Sequence, residues 1–414
     1  MNKKKLLVVS QHYYPENFRI NDIVSGFVED GYEVDVLCGM PNYPDGEWFP
    51  GYSGQGPKYE EINGVRVFRS GEIRRKGNTN FRIFLNNISW PLTARSRILK
   101  MKGNYEAVFC YNSSPVIMSF PAIVASRKYK VPLIIYVIDI WPENLYSVLN
   151  INSSLLKKIA VGISNWHYNR ADKLIAMSES LKNRLRQRIK DSKKPIFVVP
   201  QHAEDFYAVP CNDADLHAAF SEKTVILFAG NFSPAQNIEG VVRSVVKAHR
   251  KGFEDIHLLL VGSGMSQTSI EKTIQEESAE KLVTLWGRVE ASDIPRLTTL
   301  ADATIVSLVA DEDLNLTVPA KVASSMAAGK PIIASIDGEG AAALQAAECG
   351  YVAPAGDEEA LCNCLIEFER QSQQTREQMG RNAKEFYEKH YSRKTAITEL
   401  EQIIFPDDQS DSPK

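Results

Sequence analysis

The sequence predicts an α/β protein with two Rossmann-like domains, each built on a parallel sheet. Its β-rich runs are continuous and apolar instead of alternating, which is typical of strands buried on both faces. Longer amphipathic stretches separate these runs, and such β-α alternation predicts a doubly wound sheet. The rhythm stops at residues 199–223 and then restarts, which predicts two domains.

The predicted elements follow from the positions of these runs. The strands predicted in the first half are Leu6–Ser10, Val34–Cys38, Val65–Phe68, Ala107–Tyr111, Leu133–Ile138, Lys173–Met177 and Ile196–Val199. Those predicted in the second half are Val225–Ala229, His257–Val261, Val283–Trp286, Thr304–Leu308 and Pro331–Ala334. Predicted helices include Ile20–Glu29, Pro115–Lys128 and a segment with apolar positions at Ile238, Val241, Val242 and Val245.

The domain boundaries come from the break in this pattern. Residues 199–223 contain Pro200, Pro210, Asn212 and Asp213 and predict a linker. We expect a first domain at 1–203, a second at 204–394, and a C-terminal helix with a polar, disordered tail at 395–414. Ligands of open α/β sheets bind beyond the carboxyl ends of the strands. We therefore expect the chemistry in strand-end loops, on a cleft between the two sheets.

Composition excludes several other classes. The 414 residues are 44% hydrophobic and 24% charged, with a net charge of −3, which does not favour a nucleic-acid binder. The six cysteines form no CxxC pair, so neither a zinc site nor any other metal site is predicted, and a reducing compartment is expected. There is no run of about 18 apolar residues, so a cytoplasmic location without a membrane span is expected.

Glycine-rich turns follow the strands of the second half. Gly230-Asn231 ends one strand, and Ser233-Pro234-Ala235-Gln236 predicts a capped helix start. Gly262 lies in a similar turn after the next strand, and Gly338-Glu339-Gly340 follows a later one. Each turn alone is common in α/β proteins.

The sequence also resembles a known family. Pro319-Ala320-Lys321 through Ala334, with Asp337-Gly338-Glu339 and Gly356–Leu361, resembles the donor domain of retaining family-four GT-B glycosyltransferases. Tyr14-Pro15-Glu16, Pro41–Pro44 and Asp139-Ile140-Trp141-Pro142-Glu143 resemble the branch with colanic-acid and O-antigen N-acetyl-L-fucosamine transferases. The resemblance covers nearly the whole chain and implies a GT-B fold, with an acceptor-binding first domain and a donor-binding second domain.

The resemblance implies transfer from a UDP-sugar, with UDP-N-acetyl-L-fucosamine or another N-acetylhexosamine as candidates. The implied acceptor is a polyprenyl-diphosphate-linked sugar of surface polysaccharide (O-antigen or capsule) biosynthesis. The implied reaction is retaining and needs no cofactor or metal.

Residue roles follow from the charge that develops on the leaving diphosphate. Oriented N–H groups and one cation can stabilise that charge. Lys321 is the expected cation, although most lysines are solvated surface residues. Backbone groups at Gly230, Asn231, Gly262 and Gly338–Gly340 are expected to bind the donor.

Three further donor-site candidates remain, and two of them are open to a second interpretation. Glu339 either contributes to the donor site or is a plain turn residue. Arg288 and Val289 follow a strand, and in the resembling family this stretch meets the base through backbone groups. Arg288 is alternatively a replacement for an Arg that many family members carry elsewhere in this domain.

In the first domain, Asp139 either orients the acceptor hydroxyl or caps a helix. Glu143 is a second nearby carboxylate. Glu16 and Asn17 are expected to contact donor or acceptor. His12 is a conceivable base, but a lone histidine is more often structural.

The family pattern is incomplete here. Many members carry two glutamates separated by seven residues, and the matching positions are Leu316 and Ser324. Many also carry an Arg and a Lys after the first donor-domain strand, where this chain has Asn231 and Gln236 or Asn237. Two alternatives therefore stay open: a UDP-sugar 2-epimerase of the same fold, and a non-catalytic nucleotide-sugar-binding subunit.

A basic stretch lies between residues 73 and 102. It has eight basic and no acidic residues, and Phe81, Phe84, Leu85 and Ile88 share one helical face. This pattern predicts either a core-facing helix with a solvated basic side or a peripheral contact with the cytoplasmic membrane face. In the second case Arg74, Arg75, Lys76 and Arg82 would meet anionic lipid while Phe81 and Phe84 insert.

Overall fold

Two separate units make up the chain in the computed structural model, which describes residues 3–142, 153–211 and 213–406. The first unit contains residues up to Val199 and the segment from Ile397, and the second contains Pro200–Ala396. The division thus falls a few residues before the expected position, and the chain returns to the first unit near its end. The expected tail at 407–414 lies outside the described residues.

The first unit has an eight-stranded sheet with the order β3-β4-β2-β1-β5-β6-β7-β8. Its strands are β1 (Lys5–Val9), β2 (Glu33–Cys38), β3 (Tyr59–Ile62), β4 (Val65–Arg69), β5 (Ala107–Asn112), β6 (Leu133–Val137), β7 (Lys173–Ala176) and β8 (Ile196–Val198). All pairings are parallel except that of β3 with β4. The prediction missed β3, because this polar edge strand has no buried residue and so lacks an apolar run.

Helices cover this sheet at the predicted intervals. They are α1 (Arg19–Glu29), α2 (Asn80–Lys100), α3 (Phe120–Tyr129), α4 (Ser154–Tyr168) and α5 (Glu179–Arg186). The predicted helix at 115–128 is instead a 3-10 turn, Val116–Ser119, followed by α3.

The second unit has a six-stranded parallel sheet with the order β11-β10-β9-β12-β13-β14. Its strands are β9 (Thr224–Ala229), β10 (Ile256–Val261), β11 (Val283–Gly287), β12 (Ala303–Ser307), β13 (Ile332–Ser335) and β14 (Gly350–Ala353). Its helices are α6 (Ala214–Ala219), α7 (Ile238–Arg250), α8 (Gln267–Glu276), α9 (Ile294–Leu300), α10 (Ala320–Ala327), α11 (Gly338–Ala347), α12 (Glu358–Glu369) and α13 (Gln373–His390). Two parallel-sheet α/β domains are thus confirmed. The expected linker is not wholly irregular, since it contains α6 and a 3-10 turn at Asp205–Ala208.

The last helix, α14 (Arg393–Ile404), crosses the boundary between the two units. Its second half packs on the first unit, where a Cβ on Gly26 of α1 would lie 1.9 Å from Ile397 Cδ1. Lys173 Nζ donates to the Ile403 carbonyl at 2.6 Å. These contacts explain why the chain returns to its first unit.

Both sheets are buried on their two faces. Leu6, Leu7, Val8 and Val9 of β1 are fully buried, as are Leu258, Leu259 and Leu260 of β10. Burying one such side chain stabilises the fold by about 1.5–3 kcal/mol before the entropy of ordering is counted. All six cysteines are free, and Cys38 and Cys110 are buried as expected. In each unit the parallel strands bring their carboxyl ends, with the loops that follow them, to one edge of the sheet.

Candidate functional site

In the second unit the loops after β9 and β10 approach each other without intervening side chains. Gly230 N donates to the Val261 carbonyl at 2.9 Å. Both Gly230 and Gly262 have positive φ, and a Cβ on Gly262 would lie 1.9 Å from Gly230 O. Glycine is required here because any larger residue would clash with backbone.

Lys321 lies against this glycine pair. It is in the first turn of α10, and a Cβ on Gly230 would come within 2.6 Å of its Cε. Its Nζ donates to Gln236 Oε1 at 2.8 Å and lies 4.9 Å from the centroid of the Phe228 ring. Burial lowers the pKa of Lys321 to about 8, and no carboxylate of the described chain pairs with it. Lys321 is therefore a partly desolvated cation instead of a solvated surface lysine.

The predicted helix cap at Ser233 is wrong. Ser233 makes no side-chain capping bond, and Pro234–Gln236 form a 3-10 turn. Asn237 then takes a left-handed conformation, and α7 begins only at Ile238. The side-chain amide of Gln236 instead faces Lys321, and Gln236 is one of the two positions that match the family's second cation.

The predicted turn at Gly338–Gly340 is the start of α11, with Asp337 at the N-cap position. A Cβ on Gly338 would lie 2.2 Å from Asn315 O, and one on Gly340 would lie 2.8 Å from Pro319 Cδ. The beginnings of α10 and α11 are therefore in contact. Glu339 is half-buried in the first turn of α11, not in an isolated loop.

The other donor-side candidates lie in the loops after β9 and β11 and around the start of α10. Asn231 is exposed. Arg288 is exposed and Val289 half-buried beyond β11, where Gly287 O accepts from Gly262 N at 2.9 Å. Leu316 ends a 3-10 turn, and Ser324 Oγ donates to the Lys321 carbonyl at 3.1 Å. The two positions that usually carry glutamate thus offer no carboxylate.

In the first unit, Glu16 is buried and its carboxylate is fully engaged. Oε1 accepts from the backbone N–H groups of Asn42 and Tyr43, each at 2.7 Å. Oε2 bonds to His12 Nδ1 at 2.7 Å. The carboxylate of Glu16 thus positions the Pro41–Pro44 loop and the imidazole of His12. The expected contact of Glu16 with donor or acceptor stays a prediction. His12 is also buried, with its ring stacked on Phe18 at 4.4 Å.

A second carboxylate extends this cluster, which the sequence analysis missed. Glu72 accepts from Asn42 Nδ2 at 2.5 Å and from Gln11 Nε2 at 2.8 Å. Gln11 Nε2 also donates to Asn86 Oδ1, at 2.9 Å. Glu72 follows β4 closely, so the strand-end rule that singled out Glu16 would have found it too.

Arg75 completes the cluster. Its Nε donates to Asn86 Oδ1 at 3.0 Å, and its Nη2 lies 3.5 Å from His12 Nε2. The guanidinium also lies over the Tyr43 ring, 5.4 Å from the centroid. We name the group Gln11, His12, Glu16, Asn42, Glu72, Arg75 and Asn86 the polar cluster.

Glu72 gives the polar cluster a pH dependence. Burial first, and then the Glu16 carboxylate, raise the pKa of Glu72 to about 8. Because the pKa of Glu72 is higher in the folded than in the unfolded protein, its protonated carboxyl contributes to the free energy of unfolding at low pH. This contribution is lost as the pH rises through 8. The melting temperature of Glu72→Gln, measured relative to that of the wild type at the same pH, should therefore increase from pH 5 to pH 8. A difference in melting temperature between Glu72→Gln and the wild type that stays constant from pH 5 to 8 would contradict the assignment.

Asp139 lies two residues beyond the end of β6. Its side chain is exposed, yet desolvation by the surrounding protein raises the pKa of its carboxyl. A raised pKa makes a carboxylate a better proton acceptor. Glu143, and any helix that Asp139 would cap there, lie outside the described residues.

Most of the basic stretch forms α2, and Phe81 and Phe84 on this helix point outward. Phe81 is 66% exposed and Phe84 57%, whereas the buried side carries Trp90 and Ile98. The helix therefore faces the core, as one interpretation predicted, but not through Phe81 and Phe84. The expected set of four cations also needs correction, because Arg75 belongs to the polar cluster and Arg74 pairs with Glu47.

An apolar groove lies between α2 and α4. Its volume is about 610 Å³, and Ile88, Leu92, Ile159, Ile163 and Trp166 line much of it. Over the described parts of the chain, no helix is both long and apolar enough to cross a bilayer.

Two family models match the chain, one in each half. Residues 18–202 match "Glycosyltransferase Family 4", and residues 213–386 match "Glycosyl transferases group 1". Among curated proteins, "Probable glycosyltransferase WbjE" of Pseudomonas aeruginosa is 24% identical over 302 residues, which are 70% of each chain.

Solved structures share the fold along nearly the whole chain. Sucrose-phosphate synthase of Thermosynechococcus elongatus superposes with a TM-score of 0.75 at 16% identity, covering 97% of this chain and 98% of that one. HepE of Anabaena, solved in complex with UDP, gives 0.68 at 14% identity, covering 97% and 99%. WaaG, a glycosyltransferase involved in lipopolysaccharide biosynthesis, gives 0.68 at 13% identity, covering 97% and 100%.

Proposed function

We infer that this protein transfers a sugar from a UDP-sugar to a lipid-linked acceptor. The premise of this inference is that the chain belongs to the glycosyltransferases of the GT-B fold. The observation that carries this inference is Lys321, a partly desolvated cation beside the Gly230–Gly262 pair and the start of α11. The UDP in the HepE structure supports the choice of nucleotide.

The proposed chemistry follows from the charge of the leaving group. As the bond to the sugar breaks, negative charge grows on the diphosphate, and Lys321 with the N–H groups at the start of α11 would stabilise it. Asp139, with its raised pKa, would orient the acceptor hydroxyl. We propose retention of configuration, in which a donor phosphate oxygen takes the proton of a hydroxyl attacking from the same face.

The finer assignment concerns donor and acceptor. We propose an N-acetylated sugar such as N-acetyl-L-fucosamine as the donor sugar, and a polyprenyl-diphosphate-linked acceptor in surface polysaccharide assembly. The branch motifs Pro41–Pro44 and Asp139–Pro142 support this, as does the involvement of WaaG in lipopolysaccharide biosynthesis. The exposed aromatic face of α2 supports a peripheral membrane contact, since such an acceptor is membrane-bound.

A donor panel tests the proposed function. The full chain is incubated with UDP-sugars, with and without a polyprenyl-diphosphate-linked sugar, and the products are analysed by NMR for anomeric configuration. Acceptor-dependent release of UDP with a retained configuration supports the proposal. Conversion of the UDP-sugar without acceptor would identify an epimerase instead. Binding without turnover across the panel would identify the nucleotide-sugar-binding subunit that Leu316 and Ser324 favour.

UDP affinity should fall as the pH rises above about 8, where free Lys321 loses its proton. Calorimetry at pH 7 and 9.5 should show a loss on the order of tenfold, because a charge-assisted bond is replaced by a neutral one. Lys321→Arg should bind UDP with little change over this range, since arginine stays charged. Equal affinity of the wild type at both pH values would show that another group binds the diphosphate.

A further inference from the structure

The groove between α2 and α4 is an uncharged apolar surface. Its lining is aliphatic or aromatic apart from Gly162 and His167. His167 Nδ1 bonds to Ser119 Oγ at 2.7 Å, and burial lowers the pKa of His167 to about 4, so the imidazole is neutral at pH 7. A concave surface of this kind favours a hydrocarbon chain over a polar ligand.

The polar cluster contacts α2 one residue before the groove lining begins on that helix. Arg75 Nη2 donates to Asn87 Oδ1 at 3.3 Å, and the next residue along the helix, Ile88, lines the groove. The guanidinium and the groove thus meet successive residues of α2.

The guanidinium of Arg75 is only partly engaged. Its side-chain hydrogen-bond partners are Asn86, Asn87 and His12, and no carboxylate bonds to it directly. Nη1 makes no hydrogen bond within the described part of the chain. Arginine presents a planar fork of donors that matches a phosphate group. A half-buried guanidinium with no directly bonded carboxylate thus contacts the helix that lines the groove.

We propose that the groove and Arg75 form one acceptor subsite, which takes an isoprenoid chain along α2 and α4 and its diphosphate at the guanidinium. This rests on the proposed function, because it places the lipid-linked acceptor on named residues. A single lipid chain fits a concave groove, whereas the bilayer would meet the exposed rings of Phe81 and Phe84, which lie outside the groove lining. The Glu16–His12 pair then positions Arg75, since Glu16 holds Nδ1 and His12 directs Nε2 toward the guanidinium.

Calorimetry without membranes tests this subsite, with farnesyl diphosphate, farnesol and inorganic diphosphate as probes. Farnesyl diphosphate should bind at least tenfold more tightly than either fragment. Leu92→Glu should weaken its binding at least tenfold, because a carboxylate enters the hydrocarbon path. Leu99→Glu, on the same helix but outside the groove lining, is the matched control and should bind as the wild type does.

The charge is tested in the same assay. Arg75→Gln should weaken farnesyl diphosphate binding by about ten- to a hundredfold and leave farnesol binding unchanged. Arg74→Gln, which removes a neighbouring cation already paired with Glu47, should have little effect. Arg75→Lys is the conservative control, because it retains the positive charge within the polar cluster. It should bind farnesyl diphosphate with intermediate affinity.

The thermal unfolding curve of each variant reports whether it is folded, and its binding of UDP keeps the two proposals separate. Wild-type protein that binds UDP but prefers farnesyl diphosphate no more than farnesol would overturn the subsite and leave sugar transfer standing. Unchanged farnesyl diphosphate binding by a folded Arg75→Gln would overturn the role of Arg75. Binding of anionic vesicles without any affinity for farnesyl diphosphate would assign this face to the bilayer instead.

Discussion

Lys321→Met should lower kcat/KM for sugar transfer by about ten- to a hundredfold or more, while raising the melting temperature. The loss follows from one charge-assisted bond to the leaving diphosphate, worth about 1.5–3 kcal/mol. The gain in stability arises because the charged Lys321 ammonium is desolvated, and its only partners among the described residues are the amide oxygen of Gln236 and the ring of Phe228. Its folded pKa of about 8 lies below the unfolded value of 10.5.

The sign and pH window follow from linkage. A lysine whose pKa is lowered by folding destabilises the native state while it is charged, by on the order of a few kcal/mol here. The penalty is fully present below pH 8 and fades as the pH approaches 10.5. The melting-temperature advantage of Lys321→Met should therefore be largest near pH 7 and shrink toward pH 10.

Lys330→Met is the matched control for this prediction. Burial lowers the pKa of Lys330 as well, but its Nζ donates to the carbonyls of Thr299 and Ala301 at 3.0 and 2.7 Å. Removing it leaves two acceptors unpaired and should lower the melting temperature. If Lys321→Met transferred sugar at the wild-type rate, Lys321 would not stabilise the leaving group.

Phe81→Ser/Phe84→Ser should abolish co-sedimentation with anionic vesicles, which the wild type should show at low salt. Both rings are more than half exposed, and burying each in the bilayer interface contributes about 1.5–3 kcal/mol at most. Lys76 and Arg82 should each add about 1 kcal/mol of attraction to an anionic surface. High salt should release the protein, since the Debye length falls from about 10 Å at 0.1 M to about 3 Å at 1 M.

Phe197→Ser is the control for the aromatic pair, because Phe197 is also exposed but lies on edge strand β8. It should leave vesicle binding intact. Arg74→Ser should change it little, since Arg74 already pairs with Glu47. A wild-type protein that ignores anionic vesicles at low salt would rule out α2 as a membrane contact.

The sequence by itself determined the two parallel-sheet units and most of their strands. Runs such as Leu6–Val9 and Leu258–Val261 are buried on both faces, so their apolar character is continuous and visible without coordinates. Strand β3 escaped detection, and so did β14, of which only Ala353 is fully buried. A strand is recognisable in the sequence only through the apolar residues that it buries, so strands with few buried residues are missed.

Residue type and strand-end position also identified Lys321, Gly230 and Gly262 as candidates, but only tertiary structure decided what each one contacts. Because Asn237 has a left-handed conformation, α7 begins at Ile238 and Ser233 does not cap it. Gln236 instead accepts a hydrogen bond from Lys321. Glu16 and Glu72 are 56 positions apart, yet both bond to Asn42. Arg75, which was expected on the basic surface, likewise belongs to the polar cluster. Its partners are distant in sequence, so they depend on how the strand-end loops pack together. Local pattern fixes which elements form and which edge they share, whereas the packing between loops fixes which charges are paired, buried or left for a ligand.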